Sequence, residues 1–268
     1  MTVAVLGFIG VGNMGGALAR AAAKKASGPS LLLANRSPEK AARLAAELGG
    51  QVSDNAAIAA EADFIFLGVK PQMLPGVLEG LAPVLQARQS PFVLVSMAAG
   101  TSIARVRQLA GGDYPVIRIM PNTPAAIGQG MILYAPGENV PAAALETFLD
   151  SMGAAGRFAR LEERLIDAGS AVSGCGPAFV DLFIEALADG GVACGLPRSA
   201  AMELAAQMVL GSAALALSDG RHPGVLKDAV CSPGGTTIQG VRALEKGGFR
   251  STVMEAVIAA YEKNFDLK

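Results

Sequence analysis

Tryptophan is absent from this chain, tyrosine occurs three times and histidine once. With so few rings to stack bases, and a formal net charge of −1, the sequence offers neither the platforms nor the field that nucleic acid demands. The three cysteines, Cys175, Cys194 and Cys231, are odd in number and far apart. That excludes a disulfide framework and suits free thiols in a reducing, cytoplasmic setting. No histidine–cysteine group has the spacing of a metal site, and no serine sits in a nucleophile elbow. Long apolar runs are missing too. The longest, Leu204–Ser218, is interrupted by Gln207 and falls short of a bilayer's thickness, so it is expected to be a buried helix, with no membrane role. No basic region precedes the first apolar run, so no secretory signal is expected.

What is present is alternation. The β-rich runs Thr2–Phe8, Leu31–Ala34, Phe64–Val69, Phe92–Ser96 and Val116–Met120 are separated by alanine-rich stretches of 3.6-residue period, such as Met14–Lys25 and Pro38–Leu48. This order predicts a parallel, doubly wound α/β sheet, with Met131–Tyr134 and Gly156–Ala159 as further strands at its edge. Strand signals then vanish and helical patterns continue to the end. A chain of 268 residues accommodates about two domains, and the boundary is placed between residues 161 and 162.

The first strand runs into GFIGVGNMGG. Gly10, Gly12 and Gly15 match G-x-G-x-x-G at a strand–turn–helix junction, where they serve a tight turn, close approach of a pyrophosphate, and helix–strand packing. A dinucleotide is therefore expected here, its phosphates on the helix N-terminus. NAD enzymes usually carry an acidic residue about 20 positions further on. Here stand Asn35, Arg36 and Ser37. An arginine pairs with a 2′-phosphate where a carboxylate would repel it, so NADPH is the expected cofactor, with NADH as a possibility. Ser37, before Pro38, also suits a helix cap. Three more segments fall at strand ends: Val69-Lys70-Pro71, Ser96–Gly100 and Met120–Pro124.

Acid–base groups are scarce. His222 lies in an HPG stretch and reads as a turn or helix start; Cys175 has no histidine near it in sequence. Reduction of an iminium needs little proton chemistry if the substrate arrives protonated; the protein must orient the partners and exclude water. The uncharged segment CSPGGTT, residues 231–237, suits such a site. Gly234 and Gly235 can turn N–H groups toward one anion, Thr236 and Thr237 add hydroxyls, and the following helix adds its dipole. The alternative is a plain helix break, with Pro233 as stop and Thr236 as N-cap.

Together GFIGVGNMGGALA (7–19), VKP (69–71), MAAG (97–100), MPNTP (120–124), SGCGPAF (173–179), ALADGGVACGLPR (186–198) and HPGVLKDAVCSPGGTTIQGVRALEKGGFRS (222–251) resemble the pyrroline-5-carboxylate reductase family. The resemblance covers nearly the whole chain in order. It implies a Rossmann-type sheet domain (1–161) and an all-helical domain (162–268) that dimerises, with rings of dimers common. It implies reduction of 1-pyrroline-5-carboxylate to L-proline with NAD(P)H. Cofactor contacts carry over to Ile9, Gly10, Gly12, Asn13 and Met14 at the phosphates, Asn35, Arg36 and Ser37 at the 2′-phosphate and ribose, and Asn55 at the adenine. Those at the nicotinamide carry over to Val69, Lys70, Ala98, Ala99, Pro121 and Asn122. Substrate contacts carry over to Glu163, Ser232, Gly234, Gly235, Thr236 and Thr237, with Thr237 closest to the reacting ring and the loop supplied by the neighbouring subunit. Cys175 and Phe179 replace Ser and Tyr of the family's usual SGSGPAY pattern, which removes any hydroxyl contact there. Two other readings compete. A β-hydroxyacid dehydrogenase shares the N-terminal pattern but needs a catalytic lysine, and Ile166–Arg198 contains none. A non-catalytic NADPH sensor would keep Arg36 but have no use for the glycine-rich loop.

Overall fold

The computed structural model describes residues 4–25 and 30–264; Thr2 and Val3 of the expected first strand lie outside them. Within the chain, contacts define two units, residues 1–175 with 260–268, and residues 176–259.

The first unit alternates strand and helix: β1 (Val5–Ile9), α1 (Asn13–Ala23), β2 (Ser30–Ala34), α2 (Pro38–Leu48), β3 (Gln51–Val52), α3 (Asn55–Glu61), β4 (Phe64–Leu67), α4 (Leu74–Ala87), β5 (Val93–Ser96), α5 (Ile103–Ala110), β6 (Val116–Met120), β7 (Gly130–Pro136), α6 (Ala142–Met152), β8 (Gly156–Arg160) and α7 (Ile166–Ser173). The strands form one sheet in the order β3-β2-β1-β4-β5-β6-β7-β8. Pairing is parallel from β3 to β6. Because successive side chains alternate across a strand, the buried strands divide their apolar residues between two cores. Leu6, Phe8, Phe66 and Val95 pack under α1 and α6, while Ile9, Ile65, Leu67 and Leu94 pack under α3, α4 and α5. Phe8 and Phe66 stack at 4.3 Å between ring centres.

The expected sheet is present, with local corrections. β3 escapes a reading by pattern because two residues show no alternation. β7, expected at the edge, lies inside the sheet, with β8 outermost. It pairs antiparallel with β6, since the stretch from Pro121 to Gln129 is shorter than the dozen or so residues a parallel crossover requires. Contacts within the chain divide after Cys175. Ile166 is fully buried, clustering with Leu133 and Ala135 of β7, and Asp167 pairs with Arg118 of β6. These contacts hold α7 to the sheet.

The second unit is helical: α8 (Gly176–Ala193), α9 (Arg198–Asp219), α10 (Pro223–Ala229), α11 (Thr236–Lys246) and most of α12 (Phe249–Lys263). The expectation of a buried helix at Leu204–Ser218 is not met within one chain. Along α9 only Ala201 and Ala205 are buried, while Leu204, Leu210, Leu215 and Leu217 are each more than half exposed. Among the described residues, Glu163–Ala193 and Arg198–Asp219 are long and apolar enough to cross a membrane by length and composition.

Candidate functional site

The chain leaves β1 toward β2 on one side and returns in β4 on the other, and a crevice opens at such a reversal, at the C-terminal ends of the strands. Its floor is the turn after β1. Gly10 has φ +99°, which favours glycine; its N–H donates to Ala34 O at 2.8 Å and Gly68 N–H donates to Ile9 O at 2.8 Å. The three glycines have distinct surroundings. A Cβ at Gly15 would fall 2.1 Å from Gly10 O, so α1 packs on the turn only because that position is bare. A Cβ at Gly68 would fall 2.4 Å from the same oxygen, a constraint that sequence reasoning missed, although a glycine directly after FIFL was its signal. A Cβ at Gly12 would meet nothing within 4 Å. Gly12 is the N-cap of α1 and no side chain caps that helix, so open space lies before unoccupied N–H groups. This is the geometry that a pyrophosphate fits.

Around the turn is a cleft of about 950 Å³, lined by Ile9, Gly10, Gly12, Asn35, Arg36, Ser37, Asn55, Val69 and Lys70 among others. Asn35 Nδ2 donates to Ser37 O at 3.2 Å, so this amide shapes the loop from which exposed Arg36 projects. Ser37 occupies the N-cap position of α2, but its hydroxyl makes no capping bond. Asn55 begins α3, where Asp54 accepts from Ala57 N at 2.8 Å. Lys40, Ser53, Asp54 and Met73 also line the cleft. Lys40 is the notable omission from the sequence reading. It stands in the first turn of α2, four residues after Arg36 in NRSPEK, and a second cation so near in sequence was its signal.

The remaining predicted cofactor residues do not line this cleft. Asn13 and Met14 form the first turn of α1, exposed and half-buried. Ala98 is buried and Ala99 half-buried in the loop after β5. Pro121 and Asn122 are buried, and Asn122 is engaged internally: Nδ2 donates to Ser173 O at 2.9 Å and Oδ1 accepts from Met131 N at 2.9 Å. Glu163 Oε1 likewise accepts from Ile103 N at 2.6 Å.

In the second unit, Cys231–Thr237 joins α10 to α11. Gly235 N donates to Ser232 O at 3.0 Å, closing a turn, with Gly234 left-handed at φ +69°. Gly235 rather than Thr236 is the N-cap of α11, and no side chain caps the helix. Ser232, Gly234, Thr236 and Thr237 are exposed. The loop therefore presents two threonine hydroxyls beside uncapped N–H groups, a set of donors that suits a small carboxylate. Beside it, the hydrogen bond that the Lys227 ammonium donates to Asp228 holds that ammonium above its ordinary pKa. His222 is the N-cap of α10, with Nδ1 accepting from Gly224 N at 3.1 Å, a helix-start role.

Comparison with known proteins finds a family match in each half of the chain. A family described as NADP oxidoreductase, coenzyme F420-dependent, matches residues 5–100, and one described as pyrroline-5-carboxylate reductase dimerisation matches residues 163–267. The pyrroline-5-carboxylate reductases of Glycine max and Escherichia coli are 42% and 39% identical to this chain. Those alignments cover 98% and 97% of this chain, and 95% and 96% of the relatives. Among solved structures, pyrroline carboxylate reductase of Plasmodium falciparum with NADP bound matches with TM-score 0.86 and 33% identity, over 98% of this chain and 99% of its own. The pyrroline-5-carboxylate reductase of Coxiella burnetii matches with TM-score 0.91 and 30% identity, over 100% of this chain and 99% of its own. A glycine turn open to a pyrophosphate, a charge-free donor loop on a helical unit, and similarity along almost the entire sequence lead to one conclusion: this chain belongs to the pyrroline-5-carboxylate reductase family.

Proposed function

We propose that this protein reduces 1-pyrroline-5-carboxylate to L-proline with NADPH, in the cytoplasm, as a self-associating enzyme whose site is completed by a second copy. The observation that carries this reading is the loop Ser232–Thr237, a set of hydrogen-bond donors without formal charge at the start of an eleven-residue helix that no side chain caps. Bound NADPH supplies a hydride. The chain holds the substrate carboxylate with backbone N–H groups and the hydroxyls of Ser232, Thr236 and Thr237, and directs the iminium carbon toward the cofactor. The iminium arrives already protonated, so His222 and the cysteines take no part in the chemical step. The test is NADPH oxidation with pyrroline-5-carboxylate and with a cyclic imine lacking the carboxylate, in wild type and Thr237→Ala. The substitution should cost kcat/KM for the natural substrate about 1.5–3 kcal/mol, the range of one hydrogen bond to a charged group, with little effect on the carboxylate-free imine or on NADPH affinity. Equal losses on both imines would remove Thr237 from the carboxylate site.

Preference for NADPH over NADH rests on Arg36 and Lys40, both exposed and both lining the cleft. Arg36→Ala should weaken NADPH by about 1–3 kcal/mol, the scale of a charge-assisted pair, and leave NADH nearly unchanged. Titration of both cofactors against the variant checks this, and equal losses would count against a 2′-phosphate contact.

The helical unit supports self-association. Leu182, Leu204, Leu210, Leu217 and Met254 are each more than half exposed, and so many large apolar side chains in water call for cover. We infer an obligate dimer through α8, α9 and α12, with larger rings built from it. Analytical ultracentrifugation at assay concentration should find no active monomer.

A further inference from the structure

β6 reads VIRIM, and its one charged side chain, Arg118, is only 4% exposed. Its guanidinium collects three elements. Nη2 donates to Asp167 of α7, and Nη1 lies 3.8 Å from Glu163 Oε1. That same oxygen accepts the backbone N–H of Ile103, the first residue of α5, at 2.6 Å. Arg118 Nε is buried with no hydrogen-bond partner among the described residues. A buried ion pair rarely gains stability over well-packed apolar residues, and an unpaired buried N–H is a further cost, so stability alone does not account for an arginine in this place.

What the cluster holds is the loop between β5 and α5, which contains Ala98 and Ala99. Around Ala98 and Ala99 its own fastenings are long: Ala98 N to Ser96 Oγ, Thr101 N to Ala98 O, and Thr101 Oγ1 to Ala99 O, each 3.4 Å, whereas Ser102 is bound to α5 by its cap bonds from Arg105 N and Val106 N at 3.1 and 2.9 Å. The short, charge-assisted bond from Ile103 to Glu163 is the strong restraint at its far end. We infer that Arg118 is a positioning residue for hydride transfer: it orients Glu163, whose carboxylate anchors the start of α5 and thereby sets the Ala98–Ala99 loop at the nicotinamide side of the site. This rests on the function proposed above. It adds Arg118, with Asp167 as its second support, and it accounts for Glu163 through an anchoring role.

The test compares Arg118→Met, Arg118→Lys and Glu163→Gln in the full-length protein. Amide hydrogen exchange, measured without cofactor, should rise about tenfold across residues 97–106 in Arg118→Met and Glu163→Gln while residues 5–19 stay as in wild type, the mark of local rather than global opening. With NADPH and pyrroline-5-carboxylate, kcat should fall about tenfold with the KM for NADPH within about twofold, the pattern of an interaction used in the transition state. The primary isotope effect from deuterated NADPH should increase, and Arg118→Lys should recover part of both losses. Combined with Glu163→Gln, Arg118→Met should add little, because the two act through one path. Should Arg118→Met fail to fold, Glu163→Gln and Arg118→Lys carry the same readouts. Exchange unchanged at 97–106, exchange raised equally at 5–19, or an unaltered kcat and isotope effect would each overturn the inference. A wild type inactive on pyrroline-5-carboxylate, with the exchange response as expected, would instead overturn the function on which it rests.

Discussion

Gly12→Val is expected to give a protein that folds normally and no longer binds its nicotinamide cofactor. Gly12 has φ −67° and ψ −161°, backbone that a side chain tolerates, and a Cβ there meets no atom within 4 Å. The valine would instead occupy the open space in front of the α1 N–H groups, where a phosphate must approach. Losing several charge-assisted hydrogen bonds at about 1.5–3 kcal/mol each should weaken NADPH by at least about a hundredfold, with the melting temperature within about 2 °C of wild type. Gly15→Val is the control with the opposite outcome. Its Cβ would fall 2.1 Å from the Gly10 carbonyl oxygen, so it should lower the melting temperature first. Calorimetry and cofactor titration on the pair decide the matter; a Gly12→Val protein that binds NADPH normally would place the pyrophosphate elsewhere.

Gly235→Val should remove most activity while leaving NADPH affinity intact. A Cβ at Gly235 falls 2.4 Å from Ser232 Oγ and 3.2 Å from Ser232 O. The serine hydroxyl can rotate away from a methyl at the loss of one carboxylate donor, so Gly235→Ala should be the milder variant. A β-branched side chain is stiff and also crowds the carbonyl that accepts the Gly235 N–H, so the turn itself must open. With two or more carboxylate donors displaced, at about 1.5–3 kcal/mol each, kcat/KM for pyrroline-5-carboxylate should drop by at least about two orders of magnitude. A small loss, or one matched by weaker NADPH binding, would mean that Ser232–Thr237 does not hold the carboxylate.

The parts that were legible in the sequence are those encoded within a few residues. The glycine turn could be read at Gly10, Gly12 and Gly15 because conformational freedom and the lack of a Cβ belong to the residue itself. The β–α alternation, the helices Pro38–Leu48 and Asn13–Ala23, and the donor loop with Gly234 and Gly235 are legible for the same reason: periodicity and turn chemistry act locally. Lys40 could have been read too, as a second cation close to Arg36 in sequence.

What only the tertiary structure decided are the pairings between distant residues. Nothing near Glu163 marks it as the partner of the Ile103 amide, 60 positions away, and nothing near Arg118 points to Asp167, 49 positions away. Asn122, expected at the cofactor, turns both ends of its amide inward, to Met131 and Ser173. The hold of α7 on the sheet, and with it the division after Cys175, depends on the same long-range contacts. The physical reason is that a buried polar group must find a partner wherever the fold supplies one. Its chemistry states the need, and only the packing of the elements determines which residue meets it.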